Sequence, residues 1–211
     1  RSSDLFEVAR DVGLNPLPLL RQVGLNRALL DDPEQRIPAE AAVQLLEAAA
    51  QASGCPQFGL RMAESRQLSD FGVVSLLISH QPTLRDALSA TIQYRHLLND
   101  TLAIQIEDAG PLVIIREEVL LEGAGPVRQS IELAVGVMYR MLVELLGPHW
   151  RPRRVCFAHR PPADLSSHRG LFGLEPEFNT SFNGIVCAAK DLAARLPWNA
   201  GLRESSKWPI P

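Results

Sequence analysis

Apolar residues recur with two different periods along this chain, and the change of period falls near residue 100. Before it the spacing is helical. Val43, Leu46 and Ala50 predict a helix over Ala39 to Ala52, opened by Pro38 and stopped at Ser53-Gly54. Asn15 is placed to cap another helix whose first position is Pro16. Thr83, with Asp86 three positions on, forms a variant capping box for a helix reaching about Leu98, which Asn99 and Asp100 then break.

After residue 100 the period drops to two. Leu102, Ile104 and Ile106 alternate with Ala103, Gln105 and Glu107, and a second run covers Leu112 to Val119. The turn residues Asp108-Ala109-Gly110-Pro111 between them predict a hairpin. A long helix is expected from Gly125-Pro126 to about Leu146, with Val127, Ile131, Val135, Met138, Leu142 and Leu145 as one apolar stripe and Gly147-Pro148 as its stop. A short strand at Arg154 to Ala158, a helix near Asp164 to Leu171 and a strand pair around Glu177 to Phe178 and Ile185 to Ala188 complete the pattern. Helices first, then strands and helices without strict alternation, predict an α+β domain: a helix-rich N-terminal half packed on a small, mainly antiparallel sheet with a long central helix.

Composition narrows what such a domain does. A chain of 211 residues has room for one large or two small domains. Its net charge of −3, with no basic excess in either half, argues against nucleic-acid binding by this chain alone. Its apolar runs fall far short of the roughly 18 residues that a membrane span requires. Cys55, Cys156 and Cys187 are odd in number and far apart, which fits core thiols in a reducing cytoplasm. Arg1-Ser2-Ser3-Asp4 lacks the layout of a signal peptide and reads as the start of a trimmed piece, while Trp198 to Pro211 has no periodicity and reads as a linker.

Catalytic signatures are missing. Phosphate-binding glycine loops, nucleophile elbows, H-E-x-x-H and C-x-x-C do not occur, so no catalytic residue, cofactor or metal site is expected. His80, His96, His149, His159 and His168 are too widely spaced for two to share a helix face as metal ligands, and read as surface or satisfied histidines. Arg151, Arg153, Arg154 and Arg160 beside Trp150 read as a solvated loop or subunit contact more readily than as a phosphate patch.

More informative are polar residues on apolar faces. On a continuous helix from Leu84, Arg95 falls at about 20°, inside the stripe that contains Tyr94. On the long helix Arg128, Glu132 and Tyr139 border the apolar stripe. In the second strand Leu112 and Ile114 share a face with Arg116 and Glu118. One interpretation places Tyr94, Arg95, Arg116, Arg128, Glu132 and Tyr139 around a cavity between helix and sheet that takes a small polar or anionic ligand. The other makes Arg128 and Glu132 a structural ion pair, with Arg95 and Arg116 paired to nearby acids.

The ordered set Asn15-Pro16, Ile37-Pro38, Phe58-Gly59-Leu60-Arg61, Asp70-Phe71-Gly72 and Thr83 to Leu88 resembles the N-terminal, effector-sensing domain of AraC-type transcriptional regulators, in the arabinose-binding-like branch that includes ornithine-utilisation regulators. Pro152 to Pro161, Phe172-Gly173-Leu174-Glu175-Pro176-Glu177-Phe178, Asn183 and Leu196-Pro197 extend the match over roughly residues 10 to 198. The resemblance implies a cytoplasmic bacterial homodimer whose residues 1 to 198 sense a small-molecule effector. Residues 199 to 211 then lead towards a C-terminal helix-turn-helix domain, outside this chain, that binds promoter DNA. Two rivals stay open: a domain that only dimerises, and an enzyme acting on a small carboxylate through Arg95 and Arg116.

Overall fold

The computed structural model describes residues 2–28, 37–99, 101–121 and 125–196. The predicted linker at 199–211 and the whole Trp198 to Pro211 tail lie outside them. Helices α1 (Ser2–Asp11), α2 (Leu17–Gln22), α3 (Ala39–Ser53), α4 (Phe58–Glu64), α5 (Val73–Ser79) and α6 (Leu84–Gln93) precede the hairpin strands β1 (Leu102–Ala109) and β2 (Leu112–Val119). Helix α7 (Arg128–Leu146), strand β3 (Arg154–Cys156), helix α8 (Ser166–Phe172), strand β4 (Asn183–Ala188) and helix α9 (Ala189–Leu192) follow. The four strands form one antiparallel sheet in the order β1-β2-β4-β3. The fold is α+β.

Local signals act largely where the sequence puts them. The Asn15 side chain accepts the Leu17 amide at 3.1 Å, but the helix opens at Leu17 with Pro16 in the N-cap position, one residue later than expected; Gly54 ends α3 in the left-handed region at φ 64°. Thr83 Oγ1 accepts the Asp86 amide at 3.2 Å. Helix α6, however, stops at Gln93 rather than near Leu98, and a 3-10 turn over Arg95–Leu97 replaces its last turn. The angular position predicted for Arg95 therefore does not apply: its side chain is exposed and its guanidinium donates to the Ile92 carbonyl.

Three other boundaries shift. Helix α7 begins at Arg128, leaving Gly125-Pro126 outside it. Strand β3 ends at Cys156, short of Ala158. Glu177 makes one isolated parallel bridge to Cys156, so the expected strand at Glu177 to Phe178 is a single pairing.

Two apolar cores flank α7. Leu5, Val8, Leu20, Leu45, Leu46, Phe58 and Met62 close a helical core among α1 to α4. Val113, Ile115, Val135, Leu142, Val155, Phe157 and Ile185 belong to a second core between α7 and the sheet. Helix α4 crosses α7 so closely that a Cβ on Gly59 would stand 2.0 Å from the Gln129 carbonyl oxygen. The approach is locked by Gln129, whose Oε1 accepts the Gly59 amide at 2.8 Å and whose Nε2 donates to the Pro56 carbonyl at 3.0 Å. Because α4 covers one side of α7 and the sheet another, the apolar stripe is buried together with Glu132 and Tyr139 on its polar edge.

Candidate functional site

The polar edge of α7 carries a cluster of buried and half-buried polar side chains. Arg128 and Glu132 lie one turn apart, and Arg128 Nε donates to Glu132 Oε1 at 3.0 Å. His168 comes from α8 and donates from Nε2 to the same oxygen at 3.3 Å. His159 follows the short strand β3, and its Nε2 stands 3.4 Å from that oxygen. The side chains of Glu132 and His168 are 0% exposed, whereas His159 keeps 18% and Arg128 27%. One edge of the cluster therefore reaches solvent and the other does not.

Hydrogen bonding around these groups is incomplete. Glu132 Oε2, His159 Nε2 and His168 Nδ1 are buried without a hydrogen-bond partner among the described residues. Such atoms are costly to bury. His159 Nδ1 lies 2.9 Å from the Arg160 carbonyl oxygen, which only accepts, so Nδ1 holds the proton. Burial is the main influence that pushes the His159 pKa below the ordinary histidine value, opposed by that hydrogen bond and by Glu132. In the neutral ring Nε2 is then a bare lone pair facing a carboxylate oxygen.

Aromatic rings wall the cluster. Phe178 lies 5.5 Å from the rings of both His159 and His168, and stacks on the fully buried Phe157 at the same spacing. Glu47 of α3 belongs to the neighbourhood too, since its carboxylate feels the charges of Arg128 and Glu132 while accepting the Gln129 amide at 2.7 Å. Burial raises the Glu47 pKa above the ordinary glutamate value. Among the described residues no group of three or more His, Cys, Asp or Glu is arranged to hold a metal ion.

The model for the arabinose-binding N-terminal domain of AraC transcription regulators matches residues 13–196. The chain belongs to that family. Among its relatives, the HTH-type transcriptional regulator VirS of Mycobacterium tuberculosis is 27% identical over 181 residues, covering 85% of this chain and 53% of the relative. The Ornithine utilization regulator of Pseudomonas aeruginosa is 25% identical over 184 residues, covering 86% and 53%. This AraC-family chain thus spans about half the length of the curated relatives it matches. Its fold resembles the crystal structure of the transcriptional regulator CdpR from Pseudomonas aeruginosa, with a TM-score of 0.63 at 19% identity over 87% of this chain and 56% of that one.

Of the six residues expected to line one cavity in this AraC-family domain, the structure brings two into contact, Arg128 and Glu132. Tyr139 lies two turns further along α7, edge-on to Phe172 at 5.2 Å and 6.3 Å from Trp150. Arg116 is on the outer face of the sheet, bound through Nε to Glu107 at 2.7 Å and stacked 4.9 Å over the Phe182 ring. Tyr94 is half-buried at the end of α6 and Arg95 is exposed. Two surface grooves, of about 390 Å³ beside Arg140 and Glu144 and about 240 Å³ beside Asp11 and Glu64, contain none of the six.

Sequence reasoning missed His159, His168 and Glu117. The histidines come from segments that only the tertiary fold brings to α7. Glu117 was legible: it continues the alternation of Val113 and Ile115, and the register sets it opposite Ile104 on the core face. It is 2% exposed, its Oε2 has no hydrogen-bond partner, and burial pushes its pKa to about 8.

Arg154 pairs with Glu177 through both carboxylate oxygens, and Trp150 Nε1 donates to Asp191 at 3.0 Å. Cys55, Cys156 and Cys187 are buried free thiols, and burial pushes Cys187 to about 12.

Proposed function

We propose that this chain is the effector-sensing part of an AraC-type transcriptional regulator, and that a small molecule bound at the α7 cluster controls DNA binding by a helix-turn-helix domain in the longer protein. The observation that carries the proposal is Glu132: a fully buried charged side chain with one unpartnered oxygen, on the helix shared by both cores. Function at a buried charge is favoured over pure architecture when its hydrogen bonds are left unmade. Membership of the family and the regulator titles of its relatives support the same conclusion.

Helix α7 touches α4 on one side and β2 and β4 on the other. A ligand held by Arg128, Glu132, His159 and His168 would thus bias how the helical layer sits on the sheet. To act as an effector it must bind one arrangement better than the other. The protein would work in the cytoplasm as a homodimer on promoter DNA.

A thermal-shift screen of amino acids, sugars, fatty acids, amines and small aromatic acids tests the proposal. A ligand at 100 times its dissociation constant adds about 2.7 kcal/mol of stability. A stabilising compound whose effect is lost in Glu132→Gln and kept in Arg95→Ala supports the sensor. Silence across the whole panel would favour the domain that only dimerises.

A further inference from the structure

We infer that the exposed apolar face of α5 is the seat of the segment that follows Leu196, with Trp198 as its anchor. Helix α5 reads Val73-Val74-Ser75-Leu76-Leu77-Ile78-Ser79, so apolar residues occur on every side of it. A helix of that kind is normally covered on every side. Val74 and Ile78 are, in the core that they share with α7. Val73 and Leu76, one turn apart, are not: at 65% and 59% they are the most exposed large apolar side chains among the described residues.

The described residues end beside this helix. Thr83 and Arg195 form an isolated antiparallel bridge, in which Leu84 N donates to the Ala194 carbonyl and Leu196 N to the Pro82 carbonyl, both at 3.2 Å. Antiparallel pairing fixes a direction. As the chain runs from Ala194 to Leu196 its partner is read back from Leu84 to Pro82, so the next positions are aimed at Gln81 and His80, where α5 ends. The next pair in this register is non-hydrogen-bonded, as Thr83 with Arg195 is, so Pro197 there lacks no N–H that the pairing needs. Alternation fixes a side. Leu196 is 1% exposed, and the position two further on faces the same way, which would turn Trp198 inwards against α5.

The size of the face suits a chain segment better than a second copy. A helix of this length spans about 10 Å at 1.5 Å per residue. Stable association of two proteins buries about 800 Å² on each. Two aliphatic side chains one turn apart offer far less, and match a single tryptophan ring system.

The seat exists with or without an effector at α7. In the proposed regulator, residues 197–211 lead towards the helix-turn-helix domain, so the seat would tie that linker to the core of α5 and α7. Movement of α7 would then reach the linker through Val74 and Ile78. That consequence rests on the effector proposal, whereas the docking does not.

The experiment uses the 211-residue chain, whose three tryptophans are Trp150, Trp198 and Trp208. Subtracting the emission of Trp198→Phe from that of the parent isolates Trp198. Its emission is expected at shorter wavelength than that of indole in water and shielded from acrylamide, equally at low and high protein concentration. Leu76→Asp, measured against its own Trp198→Phe partner, is expected to return both properties to their values in water. Leu120→Asp, at a similarly exposed leucine after β2, is expected to leave them in place. Hydrogen exchange serves if Leu76→Asp fails to fold: Trp198→Ser is expected to speed exchange of the α5 amides and to leave those of α3 unchanged. Emission of Trp198 like that of indole in water in the parent overturns the assignment, as does shielding that survives both Leu76→Asp and Val73→Asp, or exchange in α5 indifferent to Trp198→Ser. Shielding that appears only as the protein dimerises gives the face to a second copy and overturns it too. No effector enters these measurements, so their failure leaves the α7 proposal standing.

Discussion

Glu132 Oε1 and His168 Nε2 meet at 3.3 Å with neither side chain exposed. This contact ties α8 to α7 at a polar point inside an apolar setting. Removing the carboxylate strands Arg128 and His168. Glu132→Ala is therefore expected to cost about 3 kcal/mol, the usual penalty for breaking a buried pair. Urea denaturation measures it, and a cost below about 1 kcal/mol, as for exposed pairs, would show that the cluster is not desolvated in solution.

Glu117 gives the protein a pH dependence of known sign. Its folded pKa of about 8 lies above the ordinary 4.5, so the folded state holds a proton that the unfolded chain gives up. The stability linked to that proton is full below pH 4.5 and is lost as pH rises through about 8. At about 1.4 kcal/mol for each pH unit of difference, the loss is of order several kcal/mol. Glu117→Gln is expected to flatten the part of the stability profile between pH 5 and 8 that the parent shows. Parallel profiles for parent and variant would place a water or a counter-charge at Glu117.

The α4–α7 crossing is set by two glycines with different tolerances. A Cβ on Gly59 meets main-chain oxygen at 2.0 Å, while one on Gly136 meets the Ala63 methyl at 2.6 Å. Backbone cannot yield, but a methyl can be removed. Gly136→Ala is expected to cost about 1–3 kcal/mol and to be partly rescued by Ala63→Gly, whereas Gly59→Ala costs more and is not rescued. Melting curves of the two pairs distinguish them.

Arg116 and Arg95 serve as contrasts. The Arg116–Glu107 pair is half-exposed on the outer face of the sheet, and Arg95 is exposed with one contact to its own turn. Arg116→Ala is expected to cost at most about 1 kcal/mol and Arg95→Ala within about 0.5 kcal/mol. Neither change should alter the response to an effector. A ligand effect abolished by Arg116→Ala would move the site to the sheet face.

Much of the fold was legible because it rests on local chemistry. Thr83 with Asp86, Gly54 in the left-handed region and the turn expected at Asp108 to Pro111, which the structure narrows to Gly110-Pro111 by pairing Asp108 and Ala109 in β1, act within a few positions of themselves. The helix end at Gln93 was not, because the stripe of Leu84, Ala87, Leu88 and Thr91 continues smoothly into residues that leave it. For the site, sequence pattern found Arg128 and Glu132, whose i,i+4 spacing is a local property. It missed His159 and His168, which reach Glu132 through the packing of β3 and α8 on α7. It also set Arg116 beside the ligand by following the charged face of β2, when the buried face is the one that carries Glu117.

In the proposed function, effector binding and occupation of the α7 cluster are one event. The most direct test follows the ring signals of His159 and His168 by NMR while each compound that raises the melting temperature of the chain is added. Every stabilising compound is expected to shift both histidines, with the same midpoint as its stabilisation. Stabilisation that leaves both rings unmoved would contradict it.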